Sequence, residues 1–368
     1  MNLRKIILKL HFLLGFSSGI VIFIVSITGC LYAFEDEIQN LYKHYRFVNP
    51  SNAPFLAPSR LKAIAEDSLN LNAVRVYFEG TNRAAIVRFY KEDSYFYEAY
   101  LNPYTGKILK VENVEDDFFN IVLKLHYSLL LPYETGAKIV DYATLIFLIM
   151  MITGLILWWP RNKNGIRQRF VIKLNARWRR INFDLHSVLG FYITWISVFI
   201  VITGLAWGFK WVDQTIYFFA SGGMPFTTYE EPRIDPSAPS LELSDKLYYQ
   251  LMKKYPDSKR QTIVYPENDS SGLQIRINPD GNLYFRTNYF YFHPSSGALL
   301  KEDLHTNRNN GEKLQYMYYD IHVGKIAGFP GQLLAFFAGL IGASLPVTGV
   351  FLWIGRKNKR KKPTFSNT

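Results

Sequence analysis

One kind of segment constrains this chain most: a long uncharged run that begins at a histidine and ends at a Thr-Gly pair. No charged residue lies between His186 and Lys210, so residues 187–209 form 23 uncharged positions. About 20 apolar helical residues are enough to cross the hydrocarbon core of a bilayer. Gly204 follows His186 by 18 residues, which is about 27 Å along a helix. The histidine and the Thr-Gly pair are therefore predicted at opposite faces of a membrane.

The same arrangement occurs near the N-terminus. There, His11 is followed by Gly15 and by Thr28-Gly29, again with 18 residues from histidine to glycine. Gly190 takes the place of Gly15 in the later copy. Each half also contains a second uncharged run with its own Thr-Gly pair: residues 142–160 with Thr153-Gly154, and residues 326–355 with Thr348-Gly349. The repetition predicts an internal duplication with two membrane helices in each half.

The distribution of charge predicts the orientation of these helices. Net charge is +12, and seventeen of the 42 Lys and Arg residues lie in three segments that contain no acid, residues 4–9, 161–180 and 356–362. The rest of the chain has 25 basic and 30 acidic residues. Basic residues concentrate in cytoplasmic loops of membrane proteins, so both termini and the middle loop are predicted in the cytoplasm. This placement disfavours a nucleic-acid-binding function.

The two segments between the membrane helices show strand-like alternation and turn signals. The first has a helix predicted from Ser59 to Leu69, capped by Ser59, and strands at 72–79, 84–91, 94–101 and 107–112. The second has a Pro- and Gly-rich connector at 213–240, a helix near 244–254, and strands near 261–265, 273–278 and 283–292. Their turns align as YLNPYTGKIL (100–109) and YFHPSSGALL (291–300). Two related α+β modules are therefore predicted.

The predicted fold class is an α-helical membrane protein with four transmembrane helices, built as a duplicated two-helix unit, and two periplasmic α+β modules. The predicted boundaries are 1–36 for transmembrane helix 1, 37–115 for module 1, 116–160 for an interfacial helix and transmembrane helix 2, 161–181 for a basic cytoplasmic loop, 182–212 for transmembrane helix 3, 213–304 for the connector and module 2, 305–355 for an approach helix and transmembrane helix 4, and 356–368 for a basic cytoplasmic tail.

Two more histidines precede the second span of each half. His126 lies in LKLHYSLLLP and His322 in YDIHVGKIAGFP, and Pro132 and Pro330 are expected to end these approach helices. Because spans one and three run outward and spans two and four inward, His11 and His186 are predicted together at the cytoplasmic face. His126 and His322 are predicted together at the outer face.

Two neutral imidazoles on facing helices are the ligand set of a six-coordinate b-type haem. Two haems are therefore expected, with His11 and His186 binding one iron and His126 and His322 the other. Glycine lets a helix lie flat against a porphyrin, so the predicted cofactor site also includes Gly15, Gly190, Gly29, Gly204, Gly154 and Gly349. Two stacked haems would form an electron path across the membrane.

Simpler interpretations exist for each residue taken alone. A single interfacial histidine commonly caps a helix, and Thr-Gly pairs favour close helix packing without a cofactor. Zinc or copper would also accept imidazole, but either metal usually needs a third or fourth ligand. His44, His293 and His305 have no symmetry-related partners and are predicted to be solvated, and Cys30, the only cysteine, to be a small packing residue.

The ordered set of motifs resembles the PepSY-associated transmembrane helix proteins, also called iron-regulated inner-membrane proteins. The motifs are HFLLG…ITG (11–29), YLNPYTGKIL, LHYSLLLP…ITGLILWWPR (125–161), LHSVLG…ITG (185–204) and IHVGKIAGFPG…PVTGVFLWIGR (321–356). The resemblance, which is strongest to ferric-siderophore reductase members, implies a four-helix membrane core and two periplasmic PepSY-type modules. It also implies haem b ligated by His11, His126, His186 and His322, and delivery of electrons to a periplasmic ferric chelate.

Two functions therefore remain open. The first is a transmembrane haem-dependent oxidoreductase that reduces a ferric siderophore or other ferric chelate and takes electrons from quinol or a separate cytoplasmic reductase. The second is a non-redox membrane anchor whose modules bind or restrain a periplasmic protein. Tyrosines in the second exported segment, including Tyr217, Tyr229, Tyr289 and Tyr291, are candidates for the wall of a pocket over the edge of the outer-face haem.

Overall fold

The computed structural model describes residues 3–160, 166–226, 232, 234, 240–266, 271–281 and 283–360, with the backbone alone for 356–360. The helices in these ranges are α1 (Leu3–Tyr32), α2 (Glu35–Tyr42), α3 (Pro58–Leu69), α4 (Phe118–Ser128), α5 (Tyr133–Trp158), α6 (Trp178–Asp184), α7 (Gly190–Gly208), α8 (Lys210–Ala220), α9 (Leu241–Lys254), α10 (Asn310–His322) and α11 (Gly328–Arg360). The strands are β1 (Arg75–Phe78), β2 (Ala85–Lys91), β3 (Tyr95–Leu101), β4 (Ile108–Asn113), β5 (Arg260–Val264), β6 (Leu273–Asn278), β7 (Asn288–Phe292) and β8 (Leu299–Asp303).

The chain divides into two compact units. One unit contains Met1–Phe34, Val122–Asp213 and Ile321–Thr368, and the other contains Glu35–Ile121 and Gln214–Asp320. We call them the helical unit and the sheet unit. Each is described by itself below.

The helical unit contains the four predicted membrane spans. Helices long and apolar enough to cross a bilayer cover Leu3–Tyr32, Tyr133–Trp158, Trp178–Gly208 and Lys325–Gly355. In the main packing contacts, α1 and α7 each lie against both α5 and α11. The four helices therefore form a bundle in which α1 and α7 occupy diagonal positions.

Small residues allow α1 and α11 to approach closely. A methyl group added at Gly339 would lie 2.6 Å from the Sγ atom of Cys30 and 2.9 Å from the carbonyl oxygen of Ser26. Cys30 is buried, and its Sγ lies 3.2 Å from the carbonyl oxygen of Phe336. The expectation that Cys30 is a packing residue is confirmed.

The turns before α5 and α11 have different causes. Pro132 immediately precedes α5, but it does not end the approach helix as predicted, because α4 already ends at Ser128 and Leu129 and Leu130 have positive φ. Pro330 does not end the preceding helix, because α10 ends at His322 and Pro330 lies in the first turn of α11. Proline is tolerated there, since the first backbone N–H groups of a helix have no intrahelical partner. The turn depends instead on Gly324, which has φ +80° and leaves no room for a Cβ beside the carbonyl oxygen of Gly331.

The sheet unit differs from the two separate modules expected from the sequence. Its strands form one antiparallel sheet of eight strands in the order β4-β3-β2-β1-β5-β6-β7-β8. The two halves join where β1 pairs with β5, from Arg75 opposite Val264 to Phe78 opposite Gln261. Separate modules would each leave an unpaired edge strand at this position. Pairing β1 with β5 satisfies both edges and makes the two modules one sheet.

One hydrophobic core serves both halves of the sheet. Helices α3 and α9 pack against each other, and their buried residues join those of both strand sets in one cluster. The central members include Val76, Val87, Ile263 and Ile275, each with no exposed surface. The alternating apolar residues from which the strands were predicted therefore lie on one face of the sheet, and this face packs on a single core.

Three local predictions in the sheet unit were wrong. Helix α3 begins at Pro58 after Ala57, so Ser59 is not its cap, and Ser59 N–H instead donates to Asp245 Oδ1 of α9 at 3.0 Å. The strand predicted from 283 to 292 begins only at Asn288, after a 3-10 turn at Tyr284–Arg286. The connector predicted from 213 is helical through Ala220, the end of α8.

The shared core yields a stability prediction. Ile263→Ala removes a buried side chain beside the β1–β5 junction and should cost about 2–5 kcal/mol of unfolding free energy. Hydrogen–deuterium exchange should show faster exchange in both β1 and β5. Tyr249→Ala on α9, where Tyr249 is 43% exposed, should leave exchange unchanged. Faster exchange confined to β5 would show that the two halves are independent.

Candidate histidine sites

The first histidine pair is formed by His11 and His186. His11 lies on α1, and His186 lies in a π-helical segment, Leu185–Leu189, that joins α6 to α7. Their ring centroids are 6.3 Å apart and their planes are nearly perpendicular, at 89°. Because α1 and α7 are diagonal in the bundle, the pair meets from opposite sides of it. Single π-helical turns occur frequently at functional sites.

A threonine on the neighbouring helix contacts each of these rings. His11 Nδ1 lies 2.9 Å from Thr153 Oγ1, and His186 Nδ1 lies 2.9 Å from Thr348 Oγ1. The two threonines belong to α5 and α11. Each contact therefore joins a histidine to the Thr-Gly pair of the next helix.

The second histidine pair is formed by His126 and His322, near the ends of α4 and α10. Their ring centroids are 6.0 Å apart, with an interplanar angle of 81°. His126 Nδ1 lies 3.1 Å from Thr28 Oγ1 and 2.9 Å from the carbonyl oxygen of Val25. His322 Nδ1 lies 2.9 Å from Thr203 Oγ1. The second pair thus repeats the contacts of the first with the other two Thr-Gly pairs.

The hydrogen bonds of the threonines support one assignment of the proton on each histidine ring. Each threonine hydroxyl donates to a carbonyl one turn earlier in its own helix, as from Thr153 to Ile149 at 3.0 Å and from Thr203 to Phe199 at 2.9 Å. The other two threonines make the same bond. A hydroxyl has one hydrogen, so its oxygen accepts from the histidine Nδ1–H.

The contact of His126 with Val25 supports the same assignment, because a carbonyl oxygen can only accept a hydrogen bond. A neutral imidazole protonated at Nδ1 has its lone pair on Nε2. Protein histidines that bind a metal commonly donate their other ring N–H in this way. The four histidines therefore have the hydrogen-bonding pattern of ligands that bind through Nε2.

The glycine of each Thr-Gly pair gives space to the same histidine. A Cβ added at Gly29 would lie 3.1 Å from Cε1 of His126, and one at Gly204 would lie 3.4 Å from Cε1 of His322. Gly154 and Gly349 stand in the same relation to His11 and His186, at 3.5 Å each. These four glycines thus face imidazole rings.

The other two predicted glycines lie elsewhere. A Cβ at Gly15 would lie 2.8 Å from Met150, and one at Gly190 would lie 3.6 Å from Leu345. The structure therefore places Gly15 and Gly190 in helix packing and does not bring them against a histidine.

The spacing within each pair fits one metal ion bound between two imidazoles. Two nitrogens that each lie about 2 Å from a shared metal place their ring centres about 6 Å apart. The observed separations are 6.3 and 6.0 Å. In the described ranges, no group of three or more His, Cys, Asp or Glu side chains is placed to hold a metal ion. Zinc or copper would favour a third or fourth protein ligand, and neither histidine pair has such a ligand among the described residues.

The two pairs are far apart along the bundle. His11 belongs to the first pair and Thr28 contacts the second, and these two residues are 17 positions apart on α1. The intervening helix is about 26 Å long. The pairs therefore lie near opposite ends of the four spans.

Sequence reasoning missed the polar support of the first pair. Asn182 is buried and donates from Nδ2 to the carbonyl oxygen of Thr348 at 3.1 Å. Asp184 is also buried, and its carboxylate lies 2.9 Å from Arg180 Nε. Asn182 precedes His186 by four residues, a spacing that places two side chains on one helical face. This spacing was the signal in the sequence from which a role of Asn182 beside His186 could have been predicted.

The three remaining histidines lie in the sheet unit. His44 is exposed, and His293 Nδ1 lies 3.1 Å from Ser295 Oγ within a turn. His305 is partly buried, with Nδ1 2.8 Å from Asn288 Oδ1, and burial lowers its pKa, helped by the nearby charge of Arg308. Solvation was predicted for all three, and it is seen fully only for His44.

The four spans and the separate antiparallel sheet define a multi-pass membrane protein with an α+β unit. A model of the family described as PepSY-associated TM region matches residues 8–356. The chain therefore belongs to that family, as the resemblance of its motifs predicted. Among curated proteins, none matches the chain.

The assigned proton positions can be tested with isosteric variants of one helix. Thr153→Val removes the acceptor for His11 Nδ1–H and should shift the ¹⁵N and ¹H signals of that group in histidine-labelled protein. Thr144→Val is the matched control, because Thr144 bonds only to its own helix through the carbonyl oxygen of Val140. It should leave the histidine signals unchanged. Identical spectra from both variants would contradict the assignment.

Proposed function

We propose that this protein is a di-haem b electron-transfer protein of a bacterial inner membrane. The observation that carries the proposal is the set of four imidazoles, each held through Nδ1 by a threonine and paired at 6.0–6.3 Å. On this proposal the first histidine pair binds one haem iron and the second pair binds the other. Haem iron supplies one-electron transfer when bound.

The residues of the chain would hold and orient these groups. The threonine hydroxyls fix the tautomer and the direction of each imidazole, and the glycines give each ring its place against a helix. Each haem would be held by two histidines, and a haem held in this way would supply electron transfer without binding the chelate or dioxygen directly. This favours electron transfer over oxygen chemistry.

The proposed orientation places both termini and the 161–181 loop in the cytoplasm and the sheet unit in the periplasm. The basic residues of the 4–9, 161–180 and 356–362 segments support it. Arg161 and Lys163 and the side chains after Gly355 lie outside the described residues. We further propose that the chain arose by duplication of a two-helix unit, since both halves repeat the same histidine, threonine and glycine contacts.

The proposed reaction is the reduction of a periplasmic ferric chelate, such as a ferric siderophore, with release of Fe(II). Each electron taken from quinol or from a separate cytoplasmic reductase converts one ferric ion to ferrous iron, and the donor is oxidised. The alternative of a non-redox anchor accounts for the sheet unit. It gives no reason for four histidines held as metal ligands near both ends of the bundle.

The ligand assignment predicts a definite haem content. Purified protein should contain about two non-covalent b-type haems per chain by pyridine haemochrome assay. His11→Ala or His186→Ala should remove one haem, and His126→Ala or His322→Ala should remove the other. His44→Ala, at an exposed histidine of the sheet unit, should retain both. Loss of both haems from every single variant would leave the pairing unsupported, and folded protein without haem would reject the proposal.

The direction of electron flow can be tested in sealed vesicles. Right-side-out vesicles loaded with a reduced donor should reduce a membrane-impermeant ferric chelate outside, and an impermeant Fe(II) indicator should report the product. Vesicles carrying His126→Ala should lose this activity, whereas His44→Ala vesicles should keep it. If reduction occurs only when the chelate is inside, the proposed direction is wrong.

A further inference from the structure

The face of the sheet opposite α3 and α9 contains a polar cavity of about 200 Å³. Its lining draws on both halves of the sheet. The side chains that matter here are Tyr77, Arg88, Arg260, Arg276, Tyr284 and Tyr289. The proposed electron-transfer function makes no use of this cavity so far.

Two arginines of the cavity are neutralised by carboxylates. Arg88 Nε donates to Glu98 Oε1 at 2.9 Å, and Arg260 lies 3.0 Å from Glu79. Burial disfavours the charged form of Arg88, yet the Glu98 carboxylate outweighs it and raises the pKa of Arg88. Glu79 has the same effect on the pKa of Arg260. These two ion pairs contribute little net charge.

Arg276 has no such carboxylate. Its Nε donates to Gln274 Oε1, and its guanidinium lies 5.5 Å from the ring centre of Tyr289. In the part of the chain that the structure describes, no carboxylate lies within ion-pair distance of it. The side chain of Arg276 is partly exposed. The cavity therefore contains a positive charge without a matching negative one.

Comparison of the two halves shows how this charge arises. The turn alignment that places Tyr100 opposite Tyr291 also places Glu98 at the position of Tyr289. In the sheet, Arg88 pairs with Glu98 across β2 and β3, and Arg276 pairs with Tyr289 across β6 and β7. The second half thus keeps the arginine and has tyrosine in place of its carboxylate.

A further arginine on the same face adds positive charge. Arg75 lies directly opposite Arg88 in the β1–β2 pairing. Its Nε is buried without a hydrogen-bond partner among the described residues. A buried donor without a hydrogen-bond partner is unfavourable. Arg75 does not line the cavity itself, so it adds only to the positive charge of this face of the sheet.

The walls of the cavity suit an aromatic ring. Guanidinium groups lie over tyrosine rings at 5.0 Å for Arg88 with Tyr77 and 5.3 Å for Arg260 with Tyr284. Burial raises the pKa of Tyr289, so its hydroxyl stays protonated and can donate to an oxyanion. A cavity of about 150 Å³ accommodates benzene. The volume here fits one benzoate-sized group.

We propose that this cavity binds an aromatic oxyanion of about the size of a dihydroxybenzoate, with Arg276 and Tyr289 as its main polar contacts. The assignment of a substrate class rests on the proposed reductase function. If that function holds, the bound group is one arm of the ferric chelate. The substrate class is then an anionic ferric chelate with aryl carboxylate or catecholate arms. Neutral hydroxamate chelates would lack the charge that Arg276 recognises.

The test is calorimetric titration of the purified full-length protein with 2,3-dihydroxybenzoate. Saturable binding of one molecule per chain is expected, and benzyl alcohol should not compete. Arg276→Gln should weaken binding about tenfold or more, because a charge-assisted contact is lost. Arg286→Gln is the matched control, since Arg286 is exposed and pairs with Asp280. It should bind as the wild-type protein does.

A second variant uses the other half of the sheet as its template. Tyr289→Glu places a carboxylate opposite Arg276, as Glu98 stands opposite Arg88, and should abolish binding while preserving amide-exchange protection in β6 and β7. No saturable binding to wild-type protein, unchanged binding to Tyr289→Glu, or equal loss in Arg286→Gln would overturn the proposal.

A competition experiment distinguishes the two proposals. A ferric tris-catecholate should displace the probe and a ferric trihydroxamate should not, and this readout uses no haem chemistry. Failure of electron transfer with binding intact would reject only the reductase function. Failure of the tris-catecholate to compete would reject the proposed substrate class.

Discussion

The hydrogen bond from histidine Nδ1–H to a threonine oxygen is the interaction on which the helical unit depends. It occurs four times, and each time it joins a histidine to the Thr-Gly pair of a neighbouring span. Inside a bilayer no water is available to replace a lost partner. The same four bonds therefore set the register of the helices and the direction in which each histidine Nε2 points, so that a displacement of one span would also disturb a histidine pair.

Adjacent residues of each Thr-Gly pair have separate roles in this arrangement. The threonine accepts the histidine proton, and it can do so because its own hydrogen is already donated to its helix. The glycine leaves the space that the ring occupies, most tightly at Gly29 beside His126. Close helix packing and the positioning of the histidine rings are here consequences of the same dipeptide, so the two interpretations that the sequence alone left open are compatible.

Much of this could be predicted from the sequence because the relevant signals are local or periodic. Uncharged runs gave the spans, and fixed spacing gave the histidine pairs. The joining of β1 to β5 had no such signal, because these strands are about 180 residues apart and either could have been an edge. The threonine role was missed because it depends on which atoms face each other between helices. The turn at Gly324 was assigned to Pro330 because proline is the stronger local signal.

The two halves of the chain repeat each other more closely in the helical unit than in the sheet unit. This difference is related to the chemistry of each unit. In the helical unit, the histidine, threonine and glycine contacts are the same in both halves, as expected if both pairs bind the same kind of group. In the sheet unit, Glu98 of the first half corresponds to Tyr289 of the second, and only one arginine of the equivalent pair keeps its carboxylate. Among the described side chains that line the cavity shared by both halves, Arg276 is then the one charge without a matching carboxylate. Such a site has a direction, so it can orient one ligand where a symmetric site would offer two equivalent positions.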